Sequence, residues 1–280
     1  MENHFHYESQ NKYNIAQSKS MTLPKFQLHV HDCYELYYFI SGDVTYYIEG
    51  QSYEIKNNDI LIINNQELHK PVFNSDLTYE RMTIHFNPEY ISKYNNDNFN
   101  LLQCFEERKP GHLNKIDHYN IYAYKIDHYF DKIIDYIRRK PPEAEVMIET
   151  TFIQILVLLN KIYSQTDNLH IKSVDCDPKI TRILNFINNN LNRKITLKIL
   201  QNKFHLDKYY ICHLFKENTG FTILQYIRYK KIMKSKEMLL QGITCNEVSI
   251  SLGFGDYSSF YRSFKDILGI SPREFIKINS

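Results

Sequence analysis

The strongest constraint on the fold is a repeat in the last third of the chain. ITLKILQNKFHLDKYYICHLFKENTGFTILQYI begins at Ile195, and ITCNEVSISLGFGDYSSFYRSFKDILGISPREFI begins at Ile243. One inserted residue brings them into register. Ile195-Thr196 then matches Ile243-Thr244, Asp207 matches Asp256, Phe215-Lys216 matches Phe264-Lys265, Gly220 matches Gly269, and Tyr226-Ile227 matches Phe275-Ile276. In each copy a threonine, Thr196 or Thr244, can cap about two turns of helix by accepting from orphan amides. The chain then turns through Phe204-His205-Leu206, or through Leu252-Gly253-Phe254-Gly255, where glycine permits positive φ. Asp207 or Asp256 caps a second helix. That order is a helix-turn-helix.

The second helix of each copy separates into two faces. Ile211, Leu214 and Phe215 face inward in the first copy, and Phe260 and Phe264 in the second. The outward face carries Lys208, Tyr209, Cys212, His213 and Lys216 in the first copy. In the second it carries Tyr257, Ser258, Ser259, Tyr261, Arg262 and Lys265. A helix of this kind enters a major groove, where arginine can read guanine bidentately and Ser, Tyr and Lys suit base edges or phosphates. Two amphipathic helices with merely solvated polar faces are the plainer alternative. Matched caps in two aligned copies count against it, and so does charge. Residues 178–280 hold 17 Lys/Arg against 7 Asp/Glu, a net of +10, whereas residues 1–177 hold 17 against 25, a net of −8. The basic part would be drawn to a polyanion. Between the copies, residues 222–242 read as one long helix, with Ile223, Tyr226, Ile227, Ile232, Met233 and Leu239/Leu240 available for the inside. A helix of ~18 residues spans about 27 Å, close to the ~34 Å between successive major-groove faces.

The acidic part reads differently. Aromatic and β-branched runs at 34–40, 44–49, 59–64 and 77–86, separated by turn signals, imply a sandwich or small barrel. Helices follow at 119–139 and 143–164, broken by Pro141-Pro142. The second has an apolar stripe broad enough for either a dimer contact or burial in the core. Residues 165–177 are polar and aperiodic, and read as a linker. The most apolar stretch, Phe152 to Leu159, is too short to span a membrane, and the first residues lack the apolar core of a signal peptide. Five cysteines (33, 104, 176, 212 and 245), never spaced CxxC, read as free thiols in a reducing cytoplasm. His29 and His31, two apart, share one face of a strand.

The basic part resembles the AraC/XylS family of bacterial transcription regulators. The residues that carry the resemblance are Phe215, Lys216, Gly220, Thr222, Tyr226, Ile227, Lys231 and Ile232, then Gly253, Phe254, Asp256, Ser258, Phe260, Arg262, Phe264, Lys265, Gly269, Ser271, Pro272 and Phe275. Departures are small: Ser235 and Ser249 replace the usual alanine, and Cys212 and His213 stand where longer polar side chains often read bases. HVHDCYELYYFISG (29–42) and NDILIINNQELHKPVFN (58–74) are similar to the two cupin motifs, although the usual glycines and proline of the second are missing.

The resemblance implies two domains: an N-terminal all-β cupin-like barrel followed by helices, and a C-terminal all-α double helix-turn-helix. Residues 1–164 would sense an effector and dimerise, 165–177 would link, and 178–280 would bind promoter DNA. The expected protein is a cytoplasmic activator, a homodimer acting with RNA polymerase. It would have no cofactor, no membrane association and no enzymatic activity, and a small-molecule effector would be held near His29, His31, Glu35 and His69. Those four have the ligand types of a three-His-one-carboxylate metal site. A metal-dependent cupin enzyme or a metal sensor is therefore the rival reading.

Overall fold

The computed structural model describes residues 5–9, 12–20, 33–166 and 177–279. His29, His31, Cys176 and most of the linker lie outside them. Among the described residues the N-terminal half has nine strands: β1 (Phe5–Ser9), β2 (Tyr13–Ser20), β3 (Tyr34–Ser41), β4 (Val44–Ile48), β5 (Gln51–Glu54), β6 (Ile60–Ile63), β7 (His69–Phe73), β8 (Tyr79–Phe86) and the short β9 (Lys115–Ile116). Between β8 and β9 lie α1 (Pro88–Ser92) and α2 (Gln103–Glu106). After β9 come α3 (His118–Ala123), α4 (Ile126–Arg139) and α5 (Ala144–Thr166).

Two sheets form. One has the order β1-β2-β8-β3-β6-β9 and the other β5-β4-β7. The alternation of each strand divides its side chains between two cores. On the large sheet Leu36, Tyr38, Ile60, Ile62, Met82, Ile84 and Phe86 pack under the helices with Phe130, Phe152, Ile155 and Leu159. The Tyr38 ring stacks on Phe130 of α4 with centroids 4.2 Å apart. The opposite face, with Tyr37, Phe39, Leu61, Ile63 and Tyr79, meets Val44, Tyr46, Ile48 and Tyr53 of the small sheet. Among the described residues the two sheets face each other as a sandwich and do not close. Among those residues no ladder joins β5 or β7 to the six-stranded sheet, and β1 pairs only with β2. The expectation of a barrel is corrected to that extent.

The broad stripe of α5 is largely core. Ile155 and Leu159 are fully buried, and Asn160 accepts from the Cys104 amide (2.8 Å) and donates to the Leu101 carbonyl (2.7 Å). This helix, from Ala144 to Gln165, is long and apolar enough by composition to cross a membrane, contrary to the sequence expectation. One face nevertheless packs on the large sheet and α4. The helix expected at 119–139 is two helices, because Lys125 adopts the left-handed conformation (φ 55°).

The C-terminal half is all helix: α6 (Pro178–Asn188), α7 (Leu197–Phe204), α8 (Lys208–Thr219), α9 (Ile223–Leu240), α10 (Cys245–Ser251), α11 (Tyr257–Leu268) and α12 (Pro272–Asn279). Every expected cap forms. Thr196 accepts from the Ile199 amide, Thr244 from Glu247, Asp207 from Tyr209 and Tyr210, and Asp256 from Ser259. The repeat extends further. Thr222 and Gln225 form a capping box on α9, and Ser271 and Glu274 exchange the equivalent bonds on α12. Gly220 and Gly269 close α8 and α11 in the left-handed conformation, at φ 70° and 76°. Helix α9 runs 18 residues, close to the expected length. Its buried side includes Tyr229, Lys231 and Ser235 as well as the expected apolar set, while Leu240 is exposed.

Candidate nucleic-acid interface and effector pocket

Each capped turn holds its second helix with the apolar stripe inward. Ile211 and Phe215 of α8, and Phe260 and Phe264 of α11, are fully buried. The remaining faces are open to different degrees. On α8, Tyr209 is 73% exposed, Lys208, His213 and Lys216 are exposed, and Cys212 is half-buried. His213 pairs with Glu217 on the next turn (3.1 Å), so the first copy presents fewer free donors. These residues also border a cleft of about 360 Å³ between α8 and the start of α9, lined by Leu197, Tyr209, Cys212, His213, Lys216 and Leu224 among others.

On α11, Ser258, Arg262 and Lys265 are exposed, and Tyr257, Ser259 and Tyr261 are half-buried. The Ser259 hydroxyl donates to Asp256 (3.0 Å), which occupies it in the cap. Arg262 donates Nε–H to the Ser258 carbonyl (3.4 Å) and makes no ion pair with a carboxylate among the described residues. The second copy thus offers an exposed guanidinium without a carboxylate ion pair, with Ser258 and Lys265 exposed on the same helix.

Lys231 shows how the two copies are held together. It is 5% exposed, and burial pulls its ammonium below the usual lysine range. Its Nζ donates to the carbonyls of Arg193 (3.0 Å) and Gly253 (3.4 Å). A Cβ on Gly253 would stand 2.8 Å from the Arg193–Lys194 peptide, so only glycine admits that segment at the turn. Among the residues that depart from the family pattern, buried Ser235 is satisfied by donating to the Ile232 carbonyl (2.7 Å).

In the N-terminal half, alternation puts Glu35 of β3 on the face between the sheets, directly opposite His85 of β8. His69 of β7 reaches the same carboxylate from the other sheet. Glu35 Oε2 lies 3.1 Å from His69 Nε2 and 3.5 Å from His85 Nε2. The Nδ1 of His69 is 2.8 Å from the Glu67 carbonyl. A carbonyl only accepts, so Nδ1 carries a proton, and Nε2 needs a second to meet a carboxylate. The geometry therefore calls for an imidazolium–carboxylate pair. Burial alone would raise the Glu35 pKa, but His85 and His69 hold it well below the carboxylate range. Burial alone would lower that of His69, but Glu35 raises it. Beside the pair, His85, Cys33, Tyr13, Asn14 and Lys12 help line a cleft of about 360 Å³. Among the described residues no group of three His, Cys, Asp or Glu side chains is arranged to hold a metal ion. The structure brings Glu35 and His69 together. His85 was missed, although the alternation of the 77–86 strand, with Tyr79, Arg81, Thr83 and His85 on one face, could have found it.

A family model for an AraC-like ligand binding domain matches residues 13–116, and one for a helix-turn-helix domain matches residues 200–278. The Tn10 TetD protein of Escherichia coli is 34% identical over 94 residues, which cover 33% of this chain and 68% of that protein. The chain belongs to the AraC family. An uncharacterized response regulatory protein of Staphylococcus epidermidis is 27% identical over 155 residues, covering 52% of this AraC-family chain and 61% of the relative. The chain thus spans about three-fifths of the length of that relative. Among solved structures, ToxT from Vibrio cholerae bound to an unsaturated fatty acid aligns over 96% of both chains at 13% identity with a TM-score of 0.41.

Proposed function

We propose that this AraC-family chain is a sequence-specific transcription regulator, an activator, that binds double-stranded promoter DNA through α8 and α11. The observation that carries this reading is the pair of helix-turn-helix units, each capped by a threonine and an aspartate, joined by one 18-residue helix in a segment of net charge +10. Base edges are read by Arg262, Ser258, Tyr257 and Tyr261 in the second unit, and by Tyr209, Cys212 and His213 in the first. Lys208, Lys216 and Lys265 meet phosphates. Ser259 serves the cap. Residues 178–280 form the DNA-binding unit, 165–177 the connector and 1–164 the sensing unit.

A small-molecule effector is bound at the Glu35–His69–His85 end of the sandwich. The support is a cluster of buried polar groups opening, through His85, on a cleft of ligand size. The chain acts there by binding and not by turnover, since the Glu35 carboxylate is already paired with the His69 imidazolium. It works in the cytoplasm as a homodimer, together with RNA polymerase. The deciding experiment is binding of the full chain to promoter fragments against random duplex at moderate salt. Equal affinity for both would sink the reading.

A further inference from the structure

The N-terminal half touches the first helix-turn-helix through a device built for that contact. Glu49 and Gly50, the turn between β4 and β5, both have positive φ (47° and 83°), a strained choice for glutamate. A Cβ on Gly50 would come 2.3 Å from Leu184 Cδ1 of α6, so a side chain there would force Leu184 to move. The Glu49 carboxylate is buried and accepts from the Tyr226 hydroxyl (2.9 Å) and from Lys230 Nζ (3.2 Å to each oxygen), both on α9, and from the Leu68 amide (2.8 Å). Burial and this carboxylate push the Tyr226 hydroxyl well above the usual phenol range.

Four consecutive residues of the N-terminal half each meet a different neighbour. Glu67 pairs with Arg108 inside the sandwich at 2.5 Å. Leu68 is fully buried in the core of the C-terminal half. His69 pairs with Glu35. Lys70 lies against the end of α8: a Cβ on Gly220 would stand 2.6 Å from Lys70 Cε, and Lys70 Nζ is 5.3 Å from the centre of the Phe221 ring.

That placement sets the Lys70 ammonium near Lys216 on the last turn of α8. Burial and the Lys216 charge both lower the Lys70 pKa. Neither ammonium forms an ion pair among the described residues, and the adjacent carboxylate, Glu217, is taken by His213 (3.1 Å). Two like charges held together by packing are unfavourable until an anion joins them. The exposed Tyr209 and His213 show that docking leaves the α8 face open.

We propose that Lys70, from the N-terminal half, acts with Lys216 to bind a backbone phosphate of the DNA that α8 reads, so that the docked sensing half is part of the DNA interface. This rests on the DNA-binding reading above. It also gives the sensor a direct handle on affinity, because any effector that shifts β7 moves a phosphate contact.

The test uses the full chain on a duplex it binds specifically, with affinity measured across a salt series. Lys70→Met keeps the apolar stem over Phe221 and removes the charge. Each phosphate contact contributes about 0.9 to the slope of log affinity on log salt. The two lysines share one phosphate, so Lys70→Met should flatten the slope by part of that ~0.9, as Lys216→Met should, and weaken specific and random duplex alike. Lys70→Arg should restore the slope. An unchanged slope for Lys70→Met, with a flattened one for Lys216→Met, would overturn the proposal while leaving DNA binding intact. If the unaltered chain shows no preference for any promoter site, it is the functional reading that fails.

Discussion

Glu35 and His69 stand on opposite sheets and meet at 3.1 Å between them. The contact is the one ion pair between β3 and β7 among the described residues, and it lies at the end of the sandwich where the cleft opens. Removing one partner of a buried pair leaves the other charge uncompensated, which costs about 3–5 kcal/mol. Glu35→Ala should lower the melting temperature by that mechanism, and Glu35→Gln, which keeps an acceptor, by less.

The same pair gives stability a pH dependence. A histidine held protonated above its ordinary 6.5 contributes fully below that value and loses the contribution as pH rises through its folded-state pKa. A carboxyl held below its ordinary 4.5 contributes fully above that value and loses the contribution as pH falls through its folded-state pKa. The pair therefore stabilises most between 4.5 and 6.5, and melting temperature should decline as pH climbs past the upper limit. His69→Phe, which preserves the stack on Tyr46, should remove that alkaline decline. Parallel melting curves for the two proteins from pH 6 to 9 would contradict the assignment.

Lys231 should matter to the second reader more than to the first. Its ammonium satisfies the carbonyls of Arg193 and Gly253 at the turn that leads to α11. Lys231→Met keeps the stem and strands both acceptors, at about 1–3 kcal/mol. Binding to a site altered in the half read by α11 should then resemble binding to the intact site, while alterations in the other half keep their effect. Uniform weakening at both halves would mean that Lys231 supports only the overall fold.

Arg262 and Lys265, one turn apart on α11, should separate base reading from phosphate contact. Arg262→Ala should lose discrimination at one base pair, by about 1–3 kcal/mol if the guanidinium is bidentate to guanine. Lys265→Ala should weaken all sequences alike and flatten the salt slope by about 0.9. A selection experiment on randomised sites reads the first effect, and a salt titration the second.

The helical half was legible because its determinants are local. Thr196, Thr244, Asp207 and Asp256 act on amides two or three residues away, and Phe260 and Phe264 declare the buried face by spacing alone. Turn chemistry was less complete: His205 adopts φ 55° with no glycine to announce it. The N-terminal half depends on distant partners. β1 and β2 are largely polar, and β2 joins the sheet by pairing with β8, about sixty residues on. Nothing near Glu49 in the chain points to Tyr226 or Lys230, so the contact between halves was invisible until both were folded. The pairing of Glu35 with His85 is of the same kind, although strand alternation held half of the clue.

A dimer contact on α5 would need a different side of the helix from the one that fills the core. Ile155→Glu or Leu159→Glu would bury a charge among Phe130, Phe152 and Leu156 and should unfold the N-terminal half, whatever the oligomeric state. The outer side carries Val146 at 64% exposure and Val157 at 40%. Val146→Glu combined with Val157→Glu should leave the melting temperature nearly unchanged, because neither side chain is deeply packed. If a second copy sits on this side, the double variant should sediment as a monomer at micromolar concentration. It should also lose the gain in affinity that a dimer obtains on DNA carrying two sites, while retaining its affinity for one, since that gain comes from linking two binding events and not from new base contacts. A double variant that sediments with the parent and keeps the two-site gain would place the dimer contact elsewhere. A parent that is monomeric both in solution and on two-site DNA would remove the dimer altogether.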